Sequence, residues 1–320
     1  MTEFLFEGAP IGIEEGETVL NALLRSGIEI EHACKAGACQ SCLLRSSTPV
    51  AASAQNGLDP LTASLGGFLS CQAKAMANQE VSRFDASFFP SYEGKVVSKE
   101  MLATDICRIE IDVPGFVLCP GRFIQLIHPS GIKRPYSVAT SMLKGERLVE
   151  IHVRLLPNGQ MSQLIAEAKV GDLFTVQGPF GKCAYDTAMN GKDLLLIGSG
   201  TGLAPLLAIA ADALARKHSG HIWLYHGGAI PEYLYLHQQL RSMDTDFANF
   251  HYVGCVDEGE GDHMEVGSPL DVALKTLVKL DRHVVFLCGH PGLVRAAQKQ
   301  CFLAGASMKD IHADPFEANS

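Results

Sequence analysis

The sequence predicts a multidomain α+β and α/β protein. It has a small cysteine-bearing α+β domain, then an antiparallel β-barrel, then a parallel α/β domain. Three observations predict this. Four of the ten cysteines fall between positions 34 and 71. Between Tyr92 and Asn190, short β-branched runs alternate with turn signals such as Pro114-Gly115, Pro120-Gly121 and Lys144-Gly145, as in barrels. From Gly191 onward, short apolar runs alternate with helical stretches, the pattern of a parallel sheet covered on both faces. At about 150 residues per domain, 320 residues suggest two domains. The changes of pattern raise the expectation to three, at residues 1–85, 91–190 and 191–320, with 78–91 as a linker.

The barrel strands are expected at Lys95–Val97, Ile106–Ile111, Phe123–Ile127 and Val149–Val153. The parallel strands are expected at Leu194–Ile197, Ile222–Tyr225, Phe250–Val253 and Val284–Leu287. Helices are expected at Ala204–Ala215, Glu232–Met243, Ser268–Leu280 and Gly292–Ala304.

Hydrophobic residues make up 47% and charged residues 19%, which excludes a solvated disordered chain. The net charge of -9 argues against a nucleic-acid-binding face. The N-terminus has neither the basic start nor the apolar run of a secretion signal, so a reducing cytoplasm is expected. Leu194 to Ala211 carries no charge and imitates a membrane span. Its glycines from Gly198 to Gly202 and Pro205 would break such a helix, so no membrane partner is expected. Asp257 to Asp262 reads as a solvated loop.

Cys34, Cys39 and Cys42 are spaced C-x4-C-x2-C, and Cys71 follows at a distance. This is the plant-type ferredoxin spacing for a [2Fe-2S] cluster. Four thiolates must converge on two irons, and three come from one tight loop. Ala36, Gly37 and Ala38 are small enough to let backbone N–H groups approach the cluster sulfurs. A structural zinc site or unrelated buried thiols are the alternatives, but zinc sites usually repeat the close pair and the second pair is missing. Cysteines 107, 119, 183, 255 and 301 read as buried inert thiols.

Arg134-Pro135-Tyr136-Ser137 offers a fork for phosphate, a rigid proline, a flat ring and a hydroxyl donor. Asn158-Gly159-Gln160-Met161-Ser162 precedes an apolar helical stretch whose N-terminus can hold phosphate. Together they resemble the flavin domain of the ferredoxin–NADP reductase superfamily, whose R-x-Y-S motif matches Arg134, Tyr136 and Ser137. The resemblance implies that Arg134 binds the flavin pyrophosphate, that Tyr136 stacks on the isoalloxazine, and that Ser137 bonds near N5. It also implies that Gly159, Met161 and Ser162 form the pyrophosphate helix. His152 and Arg154 match the preceding strand, toward the adenylate.

Gly198-Ser199-Gly200-Thr201-Gly202-Leu203-Ala204-Pro205 follows a strand and opens a helix. Glycines let backbone approach a pyrophosphate there. The alternate glycines, completed by Pro205, resemble the superfamily's G-x-G-x-G-x-x-P. Cys288-Gly289-His290-Pro291 resembles its C-G-x-P loop beside the nicotinamide, which implies Cys288 close to the hydride path. Phe316 resembles its terminal aromatic, implied to cover the flavin. A buried strand-end thiol and a packing aromatic are the plainer readings of these two residues. No Arg or Lys lies between Tyr225 and Glu232 to receive a 2′-phosphate, so NADH is expected over NADPH.

The whole chain resembles the NADH-dependent reductase components of multicomponent bacterial oxygenases. The resemblance implies a β-grasp-like ferredoxin domain, with FAD rather than FMN because that domain comes first. It implies hydride transfer from NADH to FAD, with Ser137, Cys288 and Phe316 at the hydride path. Single electrons then pass through the [2Fe-2S] cluster to a Rieske or di-iron oxygenase, from a monomer. Another one-electron acceptor protein, such as a deoxysugar dehydrase, is an alternative, and a redox sensor is a third. The ferredoxin part's acids, including Glu29 and Glu31, are either a docking face or ordinary solvated surface.

Overall fold

The computed structural model describes residues 2–32, 35–37, 40–140, 147–259, 261 and 264–316. The chain divides into two compact units, residues 1–90 and 91–320.

The first unit holds β1 (Glu3–Phe6), β2 (Ala9–Gly12), α1 (Val19–Arg25), β3 (Leu43–Ser46), α2 (Pro60–Ser64), β4 (Gly67–Leu69) and β5 (Glu80–Arg83). The strand order is β2-β1-β5-β3-β4, and β1 pairs in parallel with β5. Thr18 caps α1 by accepting the Asn21 N–H, and Asp59 caps α2 by accepting from Leu61 and Thr62. α1 turns Val19, Leu20, Ala22 and Leu23 inward, and Phe4, Leu44, Phe68 and Val81 share their core. This is the β-grasp-like arrangement, a mixed sheet with a helix across it.

One expectation fails here. Residues 78–91 are not all linker, because β5 lies in the middle of the sheet. Glu7 N–H bonds Val81 C=O at 2.9 Å, and Ser47 N–H bonds Glu80 C=O at 3.1 Å. Its four residues bury only Val81, too little alternation to read as a strand.

The second unit begins with an antiparallel sheet. Its strands are β6 (Ser91–Ala103), β7 (Ile106–Asp112), β8 (Phe123–Ile127), β9 (Lys133–Ser137), β10 (Leu148–Arg154) and β11 (Leu173–Phe180). The order is β10-β7-β6-β11-β8-β9, and an antiparallel bridge from Val138 to Ile151 joins the two ends into a barrel. Ile109, Ile111, Ile124, Leu126, Val149 and Val153 fill the interior. α3 (Gln160–Glu167) adds Met161 and Ile165 to that core. The Lys144-Gly145 turn lies outside the described residues.

The rest of this unit is a parallel sheet, order β15-β14-β13-β12-β16-β17. Its strands are β12 (Asp193–Ser199), β13 (Ile222–Gly228), β14 (Phe250–Val256), β15 (Met264–Val266), β16 (His283–Gly289) and β17 (Ile311–Pro315). Its helices are α4 (Leu203–Ala215), α5 (His237–Asp246), α6 (Pro269–Thr276) and α7 (Pro291–Leu303). Side chains alternate between two cores. Leu194 and Leu196 pack with α4 and α5 residues such as Leu206 and Leu240. Leu195 and Ile197 pack with α6 and α7 residues such as Leu270 and Val294. β12 has β13 on one side and β16 on the other, so the strand order reverses between β12 and β16. Ligands bind in the crevice at such a point, at the strands' C-terminal ends.

α5 starts later than expected. Pro231–Tyr233 form a 3₁₀ turn, and Leu236 has φ of 59°, which delays helical geometry to His237. β15 and β17 escaped the sequence reading because they are short, half-exposed edge strands. Of the expected loop at 257–262, Glu260 and Asp262 lie outside the described residues.

Candidate redox site

In the first unit, antiparallel pairing sets Leu43 opposite Leu69, which brings Cys42 and Cys71 side by side at the strand ends. The two thiols are in hydrogen-bond contact. Burial pushes the Cys42 thiol up, and the Cys71 sulfur adds to that. Ser70 donates both its N–H (3.1 Å) and its hydroxyl (2.8 Å) to the Cys42 carbonyl. Gln72 Nε2 donates to Cys71 Sγ at 3.4 Å and to the Lys35 carbonyl at 3.2 Å, which ties the loop to the second thiol. Lys35, Gly37 and Gln40 all have positive φ, as a tight loop around a cluster requires. Cys34 and Cys39 lie outside the described residues. The described half of the donor set fits a [2Fe-2S] cluster: two adjacent soft sulfurs with an amide N–H donor on one of them.

In the second unit, β9 carries Arg134, Tyr136 and Ser137. Arg134 and Tyr136 share one face of the strand and are half-buried, whereas Pro135 on the other face is exposed. Arg134 donates to the Lys133 carbonyl at 2.8 Å. Burial raises the Tyr136 hydroxyl out of the titrating range. Ser137 Oγ donates to Asp314 Oδ2 at 3.2 Å, which joins the barrel to β17. Asp314 pairs in register with Cys288, and Phe316 N–H bonds the Gly289 carbonyl at 2.8 Å. Ser137, Cys288, Asp314 and Phe316 therefore meet at one point.

Burial lifts the Asp314 carboxyl to about 6, against the opposing Ser137 hydrogen bond. The Cys288 thiol is pushed well up, first by burial, then by its hydrogen-bonded neighbour Cys183, then by Asp314. It is a neutral thiol.

The glycine turn packs into the same place. A Cβ on Gly202 would stand 2.3 Å from the Cys288 carbonyl oxygen and 2.8 Å from Gly289 Cα. Gly289 has φ of 112°, and a Cβ there would stand 2.6 Å from the Ser199 carbonyl oxygen. The two loops interlock backbone to backbone. Gly198 packs under Leu206, Pro205 is buried within the first turn of α4, and Thr201 remains half-exposed on the turn. Pro291 opens α7.

Arg154 forms a second focus. Its guanidinium lies over Gly200, 3.2 Å from where a Cβ would be, and Nε pairs with Asp105 at 3.2 Å. Ser162 Oγ donates to the Arg154 carbonyl at 3.3 Å. The N-terminus of α3, capped by Gly159, thus stands beside Arg154, and the glycine turn touches it as well. A cation with two sets of free N–H groups is suited to a pyrophosphate.

His152 does not join either focus. It is buried, with Nε2 2.9 Å from Glu150 Oε1 and Nδ1 3.1 Å from the Tyr235 hydroxyl. Nε2 is spent within the barrel strand, and Nδ1 keys the barrel to the parallel sheet through Tyr235. His226 packs edge-on to the same Tyr235 and burial pushes it down to about 4, so it is neutral. The sequence reading gave no role to Asp314 or Gln72. Each stands within two residues of a residue singled out there, which was the available signal.

Three family models match successive parts of the chain. A 2Fe-2S iron-sulfur cluster binding domain matches residues 7–76, an oxidoreductase FAD-binding domain 93–185, and an oxidoreductase NAD-binding domain 196–299. The chain is 29% identical to the naphthalene 1,2-dioxygenase system ferredoxin–NAD(P)+ reductase component of Pseudomonas putida, over 96% of this chain and 95% of that one. It is 27% identical to the reductase component 2 of a Comamonas sp. terephthalate 1,2-dioxygenase, covering 94% and 92%. The crystal structure of an Amycolatopsis cytochrome P450 reductase superposes over 99% of both chains, with a TM-score of 0.69 and 27% identity.

Proposed function

This chain is a ferredoxin-reductase-type oxidoreductase using [2Fe-2S], FAD and NAD, and we propose that it carries electrons from NADH to a terminal oxygenase component. The observation that carries the reading is the Ser137–Asp314 hydrogen bond. It joins the strand bearing the flavin-type motif to the strand beside the nicotinamide-type loop.

Bound FAD would accept a hydride from the nicotinamide and release electrons singly to the cluster, which takes one at a time. The protein supplies position and charge. Arg134 and the N-terminus of α3 hold flavin phosphate oxygens, and Tyr136 offers its ring face. Arg154 and the glycine turn from Gly198 to Gly202 favour a pyrophosphate at the crevice. Ser137 places a hydroxyl donor at the reacting edge, and Asp314 Oδ2 accepts its hydrogen bond in the resting arrangement. Cys288 and Gly289 form the wall against which the nicotinamide lies, and Phe316 closes it. Cys34, Cys39, Cys42 and Cys71 hold the cluster.

In this reading the three domains span 1–85, 91–190 and 191–320, and the protein works as a monomer in the cytoplasm. Among the described residues, no helix is long and apolar enough to cross a membrane. The oxygenase partner is supported by the names of the relatives, two of which are dioxygenase reductase components. NADH is favoured over NADPH because the segment after β13, through Glu232, offers no basic side chain.

Single-turnover reduction of the flavin by NADH tests the reading. Ser137→Ala should slow it about 10-fold, the loss of roughly 1.4 kcal/mol of transition-state stabilisation, with cluster content unchanged. An unchanged rate would remove Ser137 from the hydride path. NADPH should reduce the flavin more slowly than NADH at equal concentration, and the reverse order would sink the coenzyme assignment.

A further inference from the structure

At the N-terminal edge of the parallel sheet, six residues of strand away from the glycine turn, two imidazoles face each other. Six residues of β12 span about 20 Å, so this edge is remote from the glycine turn. His221 immediately precedes β13, and His251 is the second residue of β14. In-register pairing of Ile222 with Phe250 and of Trp223 with His251 fixes their separation. His221 Nδ1 and His251 Nε2 stand 2.9 Å apart, with ring centroids 5.1 Å apart and planes inclined by 32°. Trp223 stacks on His251 at 4.1 Å and 29°, which holds that ring in its plane. His221 is exposed and His251 half-buried, so water reaches the pair.

We propose that His221 and His251 bind one borderline divalent transition-metal ion, Zn2+ or Ni2+, between their facing nitrogens.

Each facing nitrogen can carry a lone pair, and a single proton now lies between them. Ligation at about 2.0–2.1 Å in tetrahedral geometry sets two imidazole nitrogens roughly 3.3 Å apart. The observed pair needs to open by a few tenths of an ångström, and the rings need to turn so that both lone pairs converge on the ion. Imidazole suits zinc and nickel, and sites built on strands hold their geometry better than sites on loops. The local charge also favours a cation. Asp193 accepts the His221 backbone N–H at 2.8 Å, and the fields of both Asp193 and Asp244 reach His251. Among the described residues, no three His, Cys, Asp or Glu side chains form a metal cage. The ion would therefore have two protein ligands and keep water in its other positions, an open site rather than a closed structural one.

Trp223 is the one tryptophan of the chain, and its ring stacks on one member of the pair. The full holoprotein is titrated with NiCl2 at pH 7.5 while Trp223 emission is followed. Paramagnetic Ni2+ held beside the stacked indole should quench it, saturating at one equivalent, and excess ZnCl2 should restore the emission. His221→Gln and His251→Gln should each abolish the saturable quench. Flavin absorbance, cluster absorbance and NADH-driven ferricyanide reduction should stay at wild-type levels in both, which shows that they are folded. Quenching that fails to saturate near one equivalent in the wild type would overturn the proposal. So would quenching that persists unchanged in both folded variants, because the ion would then be bound elsewhere.

Discussion

Among the described residues, two pairs of neighbouring cysteines occur, and their surroundings set them apart. Cys42 and Cys71 touch in the first unit, and Cys183 and Cys288 touch in the second. Burial raises Cys42 in one pair and Cys288 in the other, so the thiols alone look alike. The difference is in what surrounds them. The first pair has the Gln72 amide on one sulfur and a left-handed loop at Lys35, Gly37 and Gln40. In the second pair, burial and the Asp314 carboxylate both raise Cys288. A thiolate needs positive charge close by. The first pair can obtain it from iron in the proposed cluster, whereas the Cys288 thiol stays protonated, which suits the neutral wall proposed for it. Adjacent buried thiols thus have no fixed meaning; the donors around them decide it.

The comparison breaks first at the cluster. Cys71→Ser should abolish the [2Fe-2S] absorbance and electron delivery to a protein acceptor, while NADH-driven ferricyanide reduction by the flavin persists. Retention of the cluster would remove Cys71 from the ligand set. At the second pair, Cys288→Ala should leave the cluster spectrum intact and slow flavin reduction by about 10-fold, near 1.4 kcal/mol. If instead it lost the cluster, the two pairs would not be separable in function.

Gly202→Ala should destabilise the second unit by about 1–3 kcal/mol, since the added carbon overlaps the Cys288 carbonyl. Differential scanning calorimetry should show the loss in the transition of that unit, with the first unit's transition unmoved.

The smallest effect concerns Asp314. Its folded carboxyl titrates near 6, above the ordinary aspartate range, so the folded protein keeps a proton that the unfolded chain has released. Stability should therefore fall as pH rises from about 4 to about 6, then level off. Asp314→Asn should flatten that segment of the melting-temperature profile and raise stability above pH 6 relative to wild type. An identical pH profile in the variant would mean that the carboxyl titrates normally.

Much of this architecture was legible in the sequence because the strong signals are local. The C-x4-C-x2-C spacing, the four-residue apolar runs from Leu194 to Leu287 and the glycine turn each sit within a few residues. The barrel strands at Ile106, Phe123 and Val149 were legible for the same reason. β5 was not, since its place in the sheet comes from β1 and β3 rather than from Glu80-Val81-Ser82-Arg83. Asp314 acquires its role only when β17 pairs beside β16, and Ser137 is 177 residues away from it. His152 lies on the strand where the resemblance put it. Its buried bond to Tyr235 depends on a contact between barrel and sheet that no local pattern encodes.

The interlocked loops at Gly202 and Gly289 carry a consequence for protein engineering. Each loop fills the space that the other's side chains would need, so neither is an independent module. A chimera that imports a new coenzyme-binding turn between β12 and α4 must also import the matching segment between β16 and α7. Exchanging one alone would force the backbones apart at the crevice, and recombination breakpoints in this region belong outside both.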